Sequence, residues 1–151
     1  MSEIHVEASR TLAAPAEEVY GLLQDYQKRH PSILPPAFHD YGVEEGGEGA
    51  GTVFHVNVRA GGRTIHYHMR VSEPNPGRVI QETDIATSLT TTFTVTPVDE
   101  NRSTLRIATQ WTGGSGIGGF MERTFAPGVM RRLYNEELDR ISAAVGKRGN
   151  A

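Results

Sequence analysis

The feature that most constrains this chain is an apolar stripe at helical spacing in its last third. Residues three or four positions apart lie on one face of a helix, so the stripe predicts one long amphipathic helix over residues 117–146. At about 1.5 Å per residue such a helix is about 40 Å long and can cross a small domain. Pro127 and Gly128 interrupt the pattern and predict a kink or a break. The apolar positions are Met121, Phe125, Val129, Met130, Leu133, Tyr134, Leu138, Ile141 and Val145.

Composition and charge exclude several classes of protein. The chain has 151 residues, enough for a hydrophobic core, and we expect a single domain over residues 1–151. Its net charge of -3 offers no basic surface, so we expect no nucleic-acid partner. No apolar run approaches the length of a membrane helix, so we expect no membrane insertion. There is no cysteine and no visible secretory signal, and the cytoplasm is therefore the expected location.

The first 36 residues contain a predicted strand, a predicted helix and a proline-rich segment. Residues 3–13 alternate between apolar and polar side chains and predict a half-buried strand. Pro15 then suits the first turn of a helix, whose apolar face ends at Tyr26. Residues 28–36 contain three prolines and predict either a second short helix or an irregular arm.

From residue 38 onward the hydrophobic period changes to two. This period predicts strands over residues 38–44, 52–59, 64–72, 78–84, 89–96 and 103–112. The clearest hairpin joins the second and third of these strands through a two-residue turn, Gly61–Gly62. Its register pairs apolar residues with apolar ones and polar residues with polar ones, and a slip of one residue would destroy that agreement. The predicted pairs are Phe54 with Met69, Val56 with Tyr67, Val58 with Ile65, His55 with His68 and Asn57 with His66.

The order of these elements resembles a known superfamily. The resemblance is carried by residues 8–20 (ASRTLAAPAEEVY), by the turn at residues 73–77 (EPNPG), and by the helix that follows Trp111. These features resemble the helix-grip fold of the START-like, or SRPBCC, superfamily and its polyketide cyclase/dehydrase-like branch. The resemblance implies an α+β fold: a curved antiparallel seven-stranded sheet wrapped around a long C-terminal helix, with one or two short helices between strands 1 and 2. It implies no single activity, because the superfamily hosts many functions.

We expect a hydrophobic ligand to lie in a cavity between the apolar face of the sheet and the helix before Pro127. Thr91 and Thr109 are small residues on that face, and they leave space that larger side chains would fill. The glycine-rich loop over residues 113–119 would admit the ligand. The expected ligand-binding residues are Tyr26, Tyr67, Thr91, Phe93, Ile107, Thr109, Trp111, Met121 and Phe125.

Three motifs invite a chemical interpretation. His30 suits acid/base chemistry by type, because the pKa of a histidine lies near neutrality, but we place it on a surface arm. His55, His66 and His68 are clustered, but they lie on the predicted solvent face, so we expect no metal. Residues 114–119 match G-x-G-x-x-G, but no strand follows to complete a dinucleotide-binding unit, and we expect no cofactor.

The sequence does not decide whether the odd or the even positions of the strand over residues 78–84 point to the apolar face of the sheet, because Val79 and Ile80 are both apolar. One of the two facings would place Glu82 and Asp84 beside the cavity. No other acidic and basic groups converge in the predicted fold, so no catalytic residue is assigned.

Two functions follow from the resemblance. The first is a carrier or sensor that binds a hydrophobic small molecule, such as a lipid, a polyketide or another aromatic or isoprenoid compound. The second is a cyclase or dehydratase in which the cavity folds the substrate and one or two polar groups move protons. A third possibility is an adaptor that uses an exposed apolar patch. Because no acid/base pair is identified, the residues favour the carrier.

Overall fold

The computed structural model describes residues 3–60, 62–114 and 116–149, without the side chains of residues 117, 120, 121 and 146–149. Its order of elements confirms the predicted one. The elements are β1 (Glu3–Leu12), α1 (Ala16–Gln24), α2 (Arg29–Ser32), β2 (Phe38–Glu45), β3 (Val53–Ala60), β4 (Arg63–Asn75), β5 (Val79–Asp84), β6 (Thr90–Asp99), β7 (Arg102–Thr112) and α3 (Gly116–Gly149).

The seven strands form one antiparallel sheet in the order β1-β7-β6-β5-β4-β3-β2. Strands that follow one another in sequence are neighbours, except that β1 pairs with β7 at the far end of the chain. The inner face of the sheet must be covered because it is apolar, and α3 supplies the cover with its own apolar stripe. The predicted helix-grip fold is therefore confirmed.

The β3–β4 hairpin has the predicted register. Val56 pairs with Tyr67, and His55 pairs with His68. Val56 is buried on the inner face, whereas both histidines are exposed on the outer one. The alternation of apolar and polar positions sets this register, because any odd shift would bury the histidines. In the two-residue turn, Gly62 has a positive φ of 78°, while Gly61 lies outside the described residues.

The structure decides the facing of β5. Its even positions, Ile80, Glu82 and Asp84, are buried on the inner face. Ile80 pairs with the buried Phe93 of β6, and the remaining even positions follow it because side chains alternate along a strand. Two carboxyl groups therefore point towards α3.

Helix α3 is continuous from Gly116 to Gly149 and contains Pro127 in its interior. Of the two predicted alternatives at Pro127, a kink or a break, the break is therefore wrong. A proline removes one backbone hydrogen bond, but the packed apolar face that follows it keeps the helix in place. That face is buried as predicted at Met130, Leu133, Tyr134, Leu138, Ile141 and Val145. Of the helices in the described chain, none combines the length and the apolar character needed to cross a membrane.

Candidate functional site

A cavity of about 50 Å³ lies between the inner face of the sheet and the middle of α3. One water molecule needs roughly 10–15 Å³, and a cavity that holds benzene is nearer about 150 Å³. The cavity can therefore hold a few waters or a small polar group, and a ring must displace side chains to enter. Its apolar lining is Leu34, Phe38, Tyr41, Phe54, Val56, Val58, Tyr67, Met69, Leu89, Phe93 and Met130, and its polar lining is His30, Glu82, Thr91, Tyr134 and Glu137.

His30 lies in this cavity and is only 3% exposed, so its predicted place on a surface arm is wrong. Pro31 is compatible with the short helix α2 because it sits within the first turn. That turn folds the imidazole onto the ring of Tyr26, with 4.5 Å between ring centroids. Nδ1 lies 2.7 Å from the carbonyl oxygen of Leu23, and because a carbonyl only accepts, Nδ1 carries the proton. Burial lowers the pKa of His30 to about 4, so the ring is neutral at pH 7 with a lone pair on Nε2.

Glu82 occupies the middle of β5 and is buried beside His30. The hydroxyl of Tyr26 donates to Glu82 Oε2 at 2.8 Å. Burial raises the pKa of Glu82 to about 7, although the hydrogen bond from Tyr26 acts in the opposite direction. The pKa of Tyr26 is raised well above its usual value by burial and then by the Glu82 carboxylate. Tyr26 therefore stays protonated and holds Glu82 in position.

Glu137 is the third buried titratable group, and the sequence analysis missed it. It is 2% exposed, and its Oε1 has no hydrogen-bond partner among the described residues. Burial raises the pKa of Glu137 to about 8, and the nearby Glu82 contributes to the rise. The sequence did carry a signal. Glu137 follows Tyr134 by three positions and precedes Ile141 by four, which places a carboxyl group inside the apolar stripe of the helix.

These three groups come from α2, β5 and α3 and converge on one point. His30 Nε2 lies 3.7 Å from Glu82 Oε2 and 4.0 Å from Glu137 Oε1. Both separations are too long for a direct hydrogen bond, so the groups face a shared space. No lysine or arginine is among the described residues that line the cavity. At neutral pH the cluster can hold a proton on one carboxyl group while the other is ionised, which is the arrangement that general acid/base catalysis requires.

A row of hydroxyl groups continues this polar region across the sheet. Glu82 pairs with Thr91, and Thr91 pairs with Thr109, on three neighbouring strands. The two threonine hydroxyls are 2.7 Å apart, and Thr109 also shares a hydrogen bond with the hydroxyl of Tyr134. The cavity thus has one polar wall of hydroxyl and carboxyl groups, and its other walls are apolar.

The predicted site residues fall into separate groups. Tyr67, Thr91 and Phe93 line the cavity. Tyr26 lies behind His30 and contacts Glu82, and Thr109 lies beside Thr91 and contacts Tyr134.

Three further predicted residues, Ile107, Trp111 and Phe125, lie away from the described lining. Ile107 is fully buried opposite Phe93. Trp111 is half-buried, and its Nε1 donates to Glu122 Oε2 at 2.7 Å. Phe125 is 57% exposed, and the Met121 side chain lies outside those that the structure describes.

Among the described side chains of α3, those that form the cavity wall follow Pro127. Met130, Tyr134 and Glu137 provide it, because this part of α3 crosses the middle of the sheet. In the glycine-rich loop, the Gly114 N–H donates to Glu122 Oε1 at 2.9 Å. No described residue of this loop lines the cavity, and Ser115 lies outside the described residues.

The outer-face histidines form hydrogen bonds with a carboxylate that the sequence analysis did not place near them. Glu44 of β2 bonds to His55 Nδ1 and to His68 Nε2, each at 3.0 Å. These contacts lower the pKa of Glu44, chiefly through the bond to His55. Within the described ranges, no group of three histidine, aspartate or glutamate side chains is arranged to hold a metal ion.

Comparison with known proteins gives matches along nearly the whole chain. The family described as polyketide cyclase/dehydrase and lipid transport matches residues 3–146. The solved KanY protein is 31% identical, with 97% of this chain and 99% of that chain covered and a TM-score of 0.84. A search of curated proteins finds no match.

Two more distant structures share the fold. The aromatase/cyclase Zhui from Streptomyces sp. R1128 is 20% identical, covers 97% of this chain and 96% of its own, and has a TM-score of 0.78. The protein TTHA0849 from Thermus thermophilus is 19% identical, covers 95% and 98%, and has a TM-score of 0.77. At these identities the likeness shows the fold alone. Since the family match spans residues 3–146, this chain belongs to the polyketide cyclase/dehydrase and lipid transport family.

Proposed function

We propose that this protein is an enzyme of the cyclase or dehydratase type that moves protons on an apolar small molecule bound in the cavity. The observation that carries this proposal is the convergence of His30, Glu82 and Glu137 on one enclosed space. The carrier function was favoured only while no acid/base pair could be identified. A carrier also has no need of two buried carboxyl groups without a counter-charge, which are costly to keep in apolar surroundings.

The two carboxyl groups take different roles. Burial raises the pKa of Glu137 to about 8, and its Oε1 has no hydrogen-bond partner among the described residues to favour the ionised form, so Glu137 acts as the general acid. Glu82 accepts a hydrogen bond from Tyr26, which favours its ionised form, so Glu82 acts as the general base. In a dehydration, Glu82 takes the proton next to a carbonyl while Glu137 protonates the departing hydroxyl. One C–H bond and one C–O bond break, one C=C bond forms, and water leaves.

The apolar walls and the hydroxyl row support binding of a substrate with one polar side. Phe54, Val56 and Met69 offer apolar surface to the body of the substrate. Thr91 and Tyr134 offer hydroxyl groups to a carbonyl or hydroxyl oxygen close to Glu137. A substrate in this position would have its reacting carbon atoms beside the two carboxyl groups.

The proposal is tested with a phenyl-substituted β-hydroxy ketone, the aldol product of acetone and benzaldehyde. Elimination of water gives a conjugated enone that is followed by its ultraviolet absorbance. Glu137→Gln and Glu82→Gln should each lower the rate by about 10²- to 10⁴-fold, because each removes one partner of the proton transfer. Glu136→Gln changes the adjacent, partly exposed carboxylate of α3 and should leave the rate unchanged.

The pH dependence provides a second criterion. The active form needs Glu82 ionised and Glu137 protonated, so the rate should rise through pH 7 and fall above pH 8. Binding of the ketone without any elimination, in all pH conditions, would favour the carrier function instead.

The single domain over residues 1–151 and the cytoplasmic location stay predictions from the sequence.

A further inference from the structure

The cluster in the cavity places three acceptor atoms around one space. His30 Nε2 has a lone pair, because the ring proton is on Nδ1 and bonds to Leu23. Glu82 Oε2 faces it at 3.7 Å and Glu137 Oε1 at 4.0 Å. Oε1 of Glu137 has no hydrogen-bond partner among the described residues, although the side chain is nearly fully buried. Buried acceptors of this kind require a donor.

The described lining of the site also supplies no positive charge to balance its carboxyl groups. Two carboxyl groups lie in it, and the described lining contains no lysine, no arginine and no histidine other than the neutral His30. Tyr26 donates to Glu82 and stays uncharged. Once either carboxyl group ionises, the site carries a buried negative charge that no described residue neutralises.

We propose that the substrate carries a basic nitrogen, and that its ammonium group binds between His30 Nε2, Glu82 Oε2 and Glu137 Oε1. A primary ammonium has three N–H donors for these three acceptors. A nitrogen about 2.8 Å from His30 Nε2 can also lie about 2.8 Å from either carboxyl oxygen, because these oxygens are 3.7 and 4.0 Å from Nε2. The inference deepens the proposed function, because it names the substrate class for the same site, and it leaves Oε2 of Glu137 to carry a proton.

The size and the aromatic lining of the site agree with such a ligand. An ammonium group is close to a water molecule in size, and the cavity of about 50 Å³ accommodates it. The ring of Tyr26 stacks on His30, and Phe93 meets His30 edge-on at 5.5 Å between centroids. Carboxylate ligands, including fatty acids, should be rejected, because they would add a third buried acid.

The experiment compares three probes of the same shape and different charge. Phenethylamine, phenethyl alcohol and phenylacetate are titrated into the protein by calorimetry at pH 7.5. The amine should bind roughly tenfold or more tightly than the alcohol, because it alone supplies a charge to the carboxyl groups. The carboxylate should bind most weakly. Chemical-shift changes at Thr91 and Tyr134 should place the bound amine in the cavity.

Variants separate this inference from the proposed function. Glu82→Gln and Glu137→Gln should remove the preference for the amine, while Glu136→Gln should keep it. Equal binding of the amine and the alcohol, tightest binding of phenylacetate, or no binding of any probe would overturn the inference. Because elimination of the neutral β-hydroxy ketone is measured separately, acid/base activity can persist when the preference for amines is absent.

Discussion

At the scale of single residues, the site lowers the stability of the folded protein through two carboxyl groups that are buried without a counter-charge. The pKa values of Glu82 and Glu137, about 7 and about 8, lie above the ordinary 4.5. Between pH 4.5 and about pH 8, the folded protein therefore binds more protons than the unfolded chain. Their contribution to stability is fully present below pH 4.5 and is lost as the pH rises through 7 and 8. The site makes the protein less stable in mildly alkaline solution.

Glu137→Gln should remove much of this pH dependence. Between pH 6.5 and pH 8.5 the free energy of unfolding of the wild-type protein should fall by about 1–2 kcal/mol more than that of the variant, because the amide never ionises. Urea unfolding at several pH values measures the difference. Glu136→Gln is the matched control and should follow the wild type. Parallel curves for the wild type and Glu137→Gln would contradict the raised pKa.

Thr109→Val tests the buried hydroxyl row. Valine has nearly the same shape, but it leaves the Thr91 and Tyr134 hydroxyls without the Thr109 hydroxyl, so the variant should lose about 1–3 kcal/mol of stability. Thr104→Val is the control on the outer face of the same strand, where the hydroxyl contacts the exposed Thr11. That change should stay within about 0.5 kcal/mol. A loss of equal size in both variants would argue against a special role for the row.

At the scale of elements, α3 performs two tasks at once. Its apolar stripe closes the core against the sheet, and the same stripe carries Glu137 into the cavity. The helix begins at a tight contact, where the backbone of Gly119 passes the carbonyl oxygen of Gly114. Glycine is needed at this close approach, whereas Gly128 further along the helix is exposed and meets nothing. The two glycines should therefore respond to substitution in opposite ways.

Gly128→Ala should stabilise the protein by about 0.5–1 kcal/mol, because alanine loses less conformational entropy in a helix. Gly119→Ala should destabilise it by about 1–3 kcal/mol, since the new Cβ would lie 2.0 Å from the oxygen of Gly114 and the backbone must shift. Thermal unfolding of the two variants compares them directly. A stabilising Gly119→Ala would show that the start of the helix is packed differently.

At the scale of the whole molecule, we expect access to the cavity through the segment that connects α2 and β2. Leu34 lies in this segment and Phe38 follows it at the start of β2, and both line the cavity and are half-buried. Because the space present is smaller than a ring requires, a ring-sized ligand must displace side chains of this kind. The segment is therefore the expected gate, in place of the glycine-rich loop.

Leu34→Ala should speed the association of phenethyl alcohol about tenfold or less, because less side chain must move before the ring enters. Stopped-flow measurement with intrinsic fluorescence or a displaced dye gives the rate. Val98→Ala, a change at an exposed position next to the turn between β6 and β7, is the control and should leave the rate unchanged. Equal rates for both variants and the wild type would place the entrance elsewhere.

The sequence alone was enough to predict three features: the succession of strands and helices along the chain, the register of the β3–β4 hairpin and the buried stripe of α3. These features depend on local periodicity: a strand alternates its faces, and a helix repeats its faces every three or four residues. The pairing of Val56 with Tyr67 follows from such a pattern without knowledge of the rest of the chain. The presence of a carboxyl group in the helical stripe was visible in the same way, at Glu137.

Only the tertiary structure decided how the site is assembled. His30, Glu82 and Glu137 are far apart in sequence, and each belongs to a different element. Their meeting depends on the facing of β5, on the fold of α2 over Tyr26, and on which turn of α3 crosses the sheet. No local pattern encodes these relations, because they arise from the curvature of the sheet and the docking of the helix. The raised and lowered pKa values follow in turn from that burial, so the chemistry of the site is a property of the folded molecule.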